Sequence, residues 1–146
     1  MIRRYGEVPG KGQKYRLRPG VYGLLQRGDA VLLTFQEDPL PEYQLPGGGI
    51  DAGESAIPAL MREVREETGW QITGVRRLGA YRRYTYMPEY DLWAEKLCVI
   101  YGARPSLRLG PPTEPGHSAV WVPAAQAVEM LDNEGDRAFA WRHTRF

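Results

Sequence analysis

The sequence predicts a mixed α/β domain, and three observations carry that expectation. Short apolar segments bounded by glycine, proline and charged residues recur along the chain, as strands do. One segment, residues 55–68, instead repeats its apolar residues at helical spacing. The resulting order of strands, helix, strands, helix is that of a layered α/β domain. The 146 residues suit a single domain spanning 1–146. A chain of that length buries about two-thirds of its unfolded surface without needing staples.

Taken in order, residues 1–19 are basic, contain several glycines and prolines, and are expected to be irregular. Val21 to Gln26 and Ala30 to Gln36 are apolar strands, with Arg27-Gly28-Asp29 between them as a hairpin turn. Glu37 to Glu42 holds two prolines and reads as a loop. Tyr43-Gln44-Leu45 is a short strand stopped by Pro46, and Gly47-Gly48-Gly49 predicts a tight turn. The helix then opens at Ser55, a suitable N-cap, with Pro58 in the first turn, where a missing N–H costs little. Ile57, Leu60, Met61, Val64 and Thr68 form its expected buried stripe, and Gly69 supplies the left-handed stop. Segments 71–86 and 92–104 are strand-like, as is Ala119 to Val122. Pro123 opens a second helix over Ala124 to Leu131.

Composition excludes several classes. Lys+Arg 19 against Asp+Glu 18 leaves a net charge of +1, which argues against a nucleic-acid coat or a polybasic membrane anchor. Apolar runs such as Leu97 to Tyr101 are too short to span a bilayer. The opening Met1-Ile2-Arg3-Arg4-Tyr5-Gly6 lacks the apolar stretch of a signal peptide. One cysteine, Cys98, fits a reducing compartment, so a cytoplasmic location is expected. The near-zero net charge hides segregation: residues 1–18 carry a balance of +5 and residues 47–70 one of −3. Sixteen of the nineteen cations are arginine, which suits bidentate phosphate binding and equally fits codon bias.

The helix holds the chemistry. At about 100° per residue, Glu63, Glu66 and Glu67 share an arc roughly 120° from the apolar stripe. Carboxylates this close repel, and divalent cations relieve that repulsion. Oxygen-only ligands select Mg²⁺, Mn²⁺ or Ca²⁺. A solvated acidic helix face accounts for these three residues equally well when they are taken alone.

The spacing of the whole segment goes further. Gly48, Glu54, Arg62-Glu63-Val64, Glu66-Glu67, Gly69 and Trp70 stand at fixed intervals over 23 positions. This pattern resembles the signature of the Nudix hydrolases, with Trp70 in place of the usual aliphatic residue. The resemblance implies a Nudix-type α/β/α sandwich with a mixed β-sheet. It also implies metal-dependent hydrolysis of a nucleoside diphosphate linked to another moiety, with Mg²⁺ (or Mn²⁺) as cofactor. By the same resemblance, Glu63 and Glu67 are the principal metal ligands, with Glu66 as a third ligand or a base. The Gly47 carbonyl is a further ligand, Arg62 orients the glutamates, and Glu54 holds the loop against the helix. Family members often take a general base from a loop beyond the motif. Here that loop is residues 110–117, and Glu114, its only carboxylate, is the candidate, with His117 as the alternative.

The substrate stays open. Tyr81, Tyr84, Tyr86, Tyr90 and Trp93 crowd one region, interleaved with Arg82 and Arg83. Arg82, Arg83 and Tyr86 are the candidate substrate contacts, through phosphate binding and base stacking. Tyrosines that simply pack the sheet explain most of that cluster equally well. Tyr86 falls near the offset that resembles dinucleoside polyphosphate hydrolases, and Pro88 lies slightly beyond the one associated with ADP-ribose hydrolases. A nucleotide sugar or an NTP also fits. The expected partner is a small-molecule nucleotide, with no nucleic acid and no membrane. The basic N-terminal segment covers the pocket, reaches across a homodimer, or stays mobile. A non-catalytic nucleotide sensor on the same fold is the rival reading; such sensors often lose motif glutamates, and all are present here.

Overall fold

The computed structural model describes residues 2–144. Its strands are β1 (Arg3–Arg4), β2 (Arg16–Arg27), β3 (Ala30–Gln36), β4 (Glu42–Gln44), β5 (Gly47–Gly49), β6 (Trp70–Met87), β7 (Leu92–Arg108) and β8 (His117–Pro123). The helices are α1 (Ala56–Thr68), α2 (Ala124–Met130) and α3 (Glu134–His143), with a 3₁₀ turn at Pro88–Tyr90. The sheet runs β1-β6-β7-β2-β3-β4, while β5 adds to β2 and β8 adds to β3. β2 is parallel to β7 but antiparallel to β3 and β5, so the sheet is mixed. Gly28 has φ +59, the left-handed value that the first position of a two-residue hairpin loop between β2 and β3 requires.

Side chains alternate across this sheet and divide the core in two. On one side, Val21, Leu25, Leu32, Ile72 and Ala103 pack with Ala59, Leu60 and Val64 of α1. On the other, Leu24, Val31, Leu33 and Ile100 pack with Ala127 of α2 and with Phe139 and Ala140 of α3. Neighbouring residues such as Leu24 and Leu25 thus serve opposite layers, and the architecture is the expected α/β/α sandwich. Leu60 is fully buried, so Leu60→Ala is expected to cost about 2–5 kcal/mol.

Four expectations need correction. Residues 1–19 are not wholly irregular: β1 pairs in parallel with β6, and β2 begins at Arg16 because its polar start finds a partner in β7. The three glycines form strand β5 rather than a tight turn, since their backbone pairs antiparallel with Gly20 to Tyr22. In α1, Ile57 and Met61 are 41% and 42% exposed, while Glu67 is buried. The buried arc is rotated towards the glutamates because α1 packs on β5, where glycines offer no side chains. A Cβ on Gly48 would lie 2.7 Å from the Glu63 carboxyl carbon. Finally, α3 follows the helix expected to be the last. Asn133 caps it, its side chain accepting from the N–H groups of Gly135 and Asp136.

Trp70 meets an aromatic setting that accounts for its departure from an aliphatic residue. Its ring lies edge-on to Trp121 at 5.5 Å, and the Arg27 guanidinium stands 4.7 Å from the Trp70 centroid and 5.5 Å from that of Trp121. Among the described residues, no helix is long and apolar enough to cross a membrane.

Candidate active site

Glu63 and Glu67, in the last two turns of α1, line a cleft of about 1000 Å³ together with β5, β2 and the start of α3, and Glu66 is not among its lining residues. Glu67 is only 6% exposed. One of its oxygens accepts the Gly47 N–H at 2.9 Å, and the other lies 3.6 Å from His117 Nδ1. Burial pushes the Glu67 carboxyl well above the usual range, and the neighbouring charges of Glu63, Glu114 and Glu66 add to that. Burial likewise raises Glu63, against the pull of Arg62. Glu67 therefore sits where a negative charge is poorly compensated by the protein itself, whereas Glu63 has the Arg62 guanidinium beside it.

Arg62 organises the rest. Its Nε and Nη2 donate to the two Glu54 oxygens at 2.7 and 2.9 Å, a bidentate pair. Its Nη1 reaches Glu63 at 3.2 Å and both Glu66 oxygens at 3.2 and 3.3 Å. Glu54 also accepts the Asp51 N–H at 3.1 Å, so the loop before the helix is tied to its flank. These bonds hold the Glu54 carboxyl down at about 2. Arg62 thus neutralises the glutamates on the outer side of the group and leaves Glu67 to the cleft.

A backbone device brings the distal loop to this helix. The last carbonyls of a helix lack intrahelical partners. Here the Glu66 carbonyl accepts the N–H groups of Thr113 and Glu114, both at 2.8 Å, and the Gly69 carbonyl accepts Leu109 at 2.8 Å. Gly69 is needed twice over: its φ is +80, and a Cβ there would lie 1.9 Å from the Gly110 oxygen. Glu114 is consequently anchored beside α1, and its charge acts on Glu63, Glu67 and His117. His117 is held at the start of β8 by Thr34, with Oγ1 and Nδ1 3.0 Å apart, and burial lowers its pKa.

Of the candidate substrate contacts, Arg83 and Tyr86 line the cleft, and the Tyr86 hydroxyl donates to Asp91. Arg82 is not among the lining residues; it ion-pairs with Glu95 at 3.6 Å. Sequence reasoning missed Arg18, Lys96 and Asp136, which also line it. Alternation along β2 and β7 could have found the two cations, and the Asn133 cap could have placed Asp136. Asp136 is 3% exposed; it accepts the Tyr81 hydroxyl at 2.7 Å and the Leu45 N–H at 3.3 Å, and burial raises its pKa. Among the described residues, no three His, Cys, Asp or Glu side chains already converge as a metal cage.

A three-layer α/β/α fold with a glutamate-rich helix end on a polar cleft defines a class that comparison can place. The NUDIX domain model matches residues 14–142, and the chain belongs to that family. A Bacillus subtilis (strain 168) protein, provisionally named an 8-oxo-dGTP diphosphatase, is 37% identical over 48% of this chain and 46% of its own. The NAD-capped RNA hydrolase NudC of Pseudomonas aeruginosa is 38% identical over 49% of this chain and 26% of its own. The RNA pyrophosphohydrolase of Halorhodospira halophila is 37% identical over 46% and 37%. The chain thus matches less than half the length of these relatives. Among solved structures, the MutT protein of Bacillus halodurans aligns with a TM-score of 0.71 at 20% identity, covering 88% of this chain and 83% of that one. That likeness concerns the fold.

Proposed function

We propose that this chain hydrolyses the phosphoanhydride of a nucleotide, with Mg²⁺ or Mn²⁺ held by Glu63 and Glu67. The observation that carries this reading is the buried Glu67 carboxylate, which faces a cleft among other glutamates. The relatives are named as diphosphatases and pyrophosphohydrolases, which supports the same chemistry. The donor set fits a hard dication: it is all oxygen, and burial makes negative charge on Glu63 and Glu67 costly in a way that a bound cation would offset. Such a cation, when bound, neutralises substrate charge and lowers the pKa of bound water.

The protein's own part is positioning. The Gly47 N–H fixes one Glu67 oxygen, and Arg62 fixes Glu63 and Glu66. Gly47 adds its carbonyl as a donor in this reading, and Glu66 is a third donor or a base. Glu114 is the candidate general base, brought to the helix by its own N–H bond to Glu66. His117, whose pKa burial lowers, stands 3.6 Å from Glu67 at the same end of the group. Arg83 and Tyr86 contact substrate along the cleft. The test is to incubate purified protein with Mg²⁺ and a panel of nucleotide sugars, dinucleoside polyphosphates, NTPs and 5′-triphosphorylated RNA. Turnover of one class, lost in Glu67→Gln, is expected. No turnover of any compound, or an undiminished variant, would overturn the reading.

A further inference from the structure

Opposite the glutamates, the floor of the cleft carries a second charged group. Arg18 of β2 is in register with Lys96 of β7, and Lys96 is in register with Arg83 of β6. All three line the cleft, so three cations stand abreast on one face of three adjacent strands. Strands lie about 4.8 Å apart, and like charges directly opposite one another are destabilising.

The other face of the same two strands shows what a structural solution looks like. There Arg82 of β6 pairs with Glu95 of β7 at 3.6 Å. On the cleft face, among the described residues, neither Arg18, Lys96 nor Arg83 forms an ion pair. The buried carboxylate of Asp136 accepts its hydrogen bonds from Tyr81 and Leu45, and its single charge, felt by Arg83 and Lys96, offsets only part of the row. Arg18 is instead held over the exposed Tyr90 ring, 5.0 Å from its centroid, at the cleft mouth. Three half-buried cations gathered in a concavity around one buried carboxylate, with no ion pair to any of them, leave positive charge over and make an anion site.

The register also separates this row from the glutamates. Val21 of β2 is opposite Gly48, against which the Glu63 carboxylate rests. Arg18 is three residues earlier, about 10 Å along the strand backbone, and an odd offset of three puts it on the opposite face of β2 from Val21. We propose that Arg18, Lys96 and Arg83 bind a second phosphate, remote from the bond that is cleaved. On this account the cleft favours nucleotides that carry phosphate beyond the anhydride, either on the sugar or in a longer polyphosphate chain. The proposal rests on the cleft being the substrate site, but not on the chain being catalytic.

The test is therefore a binding experiment in EDTA. Calorimetry would compare AMP, adenosine 3′,5′-bisphosphate and ATP, using Lys96→Gln and Arg83→Gln, Lys96→Arg as rescue, and Arg104→Gln as a charge-matched control outside the cleft. At least one of the two longer anions should bind about tenfold or more tighter than AMP, as one charge-assisted contact would give. That advantage should vanish in Lys96→Gln and Arg83→Gln and survive in Lys96→Arg and Arg104→Gln. An advantage for the bisphosphate assigns the phosphate to the sugar, as in an RNA chain; one for ATP alone assigns it to the polyphosphate. Equal binding of all three, or an advantage that survives Lys96→Gln, would overturn the proposal. Neither result depends on turnover, so a failed hydrolase assay would not be mistaken for a failed phosphate site.

Discussion

Glu67 and Asp136 border the same cleft, and both are almost fully buried, at 6% and 3% exposed. Asp136 is surrounded by partners: a tyrosine hydroxyl, a backbone N–H, and the charges of Arg83 and Lys96. Glu67 has a single backbone donor, lies 3.6 Å from His117, and otherwise faces the charges of Glu63, Glu114 and Glu66. Equal burial thus conceals two different tasks. One carboxyl joins α3 to β6, whereas the other is, in the proposed function, a ligand for a bound cation.

Substitutions should separate the two. Glu67→Gln is expected to lower kcat by at least about 100-fold, since even an outer-shell partner of a metal ligand costs up to that much. It should leave the metal-free Tm unchanged or raised, because it removes repulsion. Asp136→Asn should do the reverse. The amide oxygen can still accept the Leu45 N–H. The amide nitrogen then meets the Tyr81 hydroxyl, which must turn its proton away while the charge felt by Arg83 and Lys96 is lost, at a cost of about 1–3 kcal/mol seen in urea unfolding. Its affinity for metal should not change. If both variants lost stability equally, the contrast would collapse.

Acidity sharpens the same comparison. Both groups hold their protons more tightly folded than unfolded, where their ordinary values are 4.5 and 3.8. Their contribution to stability is therefore complete below those values and lost as pH rises through the raised folded ones. Unfolding in EDTA across this range should show stability falling with pH. Mg²⁺ should restore the Glu67 part in the wild type and have no such effect in Glu67→Gln.

Two smaller effects test the surroundings of Glu67. Arg62→Lys forfeits the bidentate grip on Glu54 and should reduce kcat by about 10- to 100-fold. Its stability should change by no more than about 1 kcal/mol, as these ion pairs are partly exposed. Glu114→Gln should lower kcat with unchanged Mg²⁺ affinity; a fully active variant would remove Glu114 from the site.

Much of this contrast was legible in the chain. The spacing from Gly48 to Trp70 marked the glutamates, and apolar runs bounded by turn residues placed most of β2, β3, β6 and β7. Periodicity alone misoriented α1, because the burial of Glu67 depends on glycines of β5 that lie far off in sequence. The start of β2 was hidden because its arginines pair with a strand some eighty residues away. α3 was missed because its apolar stripe is weak, although the Asn133 cap and the acidic first turn at Glu134 and Asp136 were there to be read. Arg82 and Arg83 looked equivalent as neighbours, and only strand alternation sets them on opposite faces.

Titrating Mn²⁺ into the protein and following water-proton relaxation tests the central claim most directly. The account predicts a site in the wild type that is at least about tenfold weaker in Glu63→Gln and Glu67→Gln and unchanged in Asp136→Asn. Equal Mn²⁺ affinity in all four proteins would contradict it.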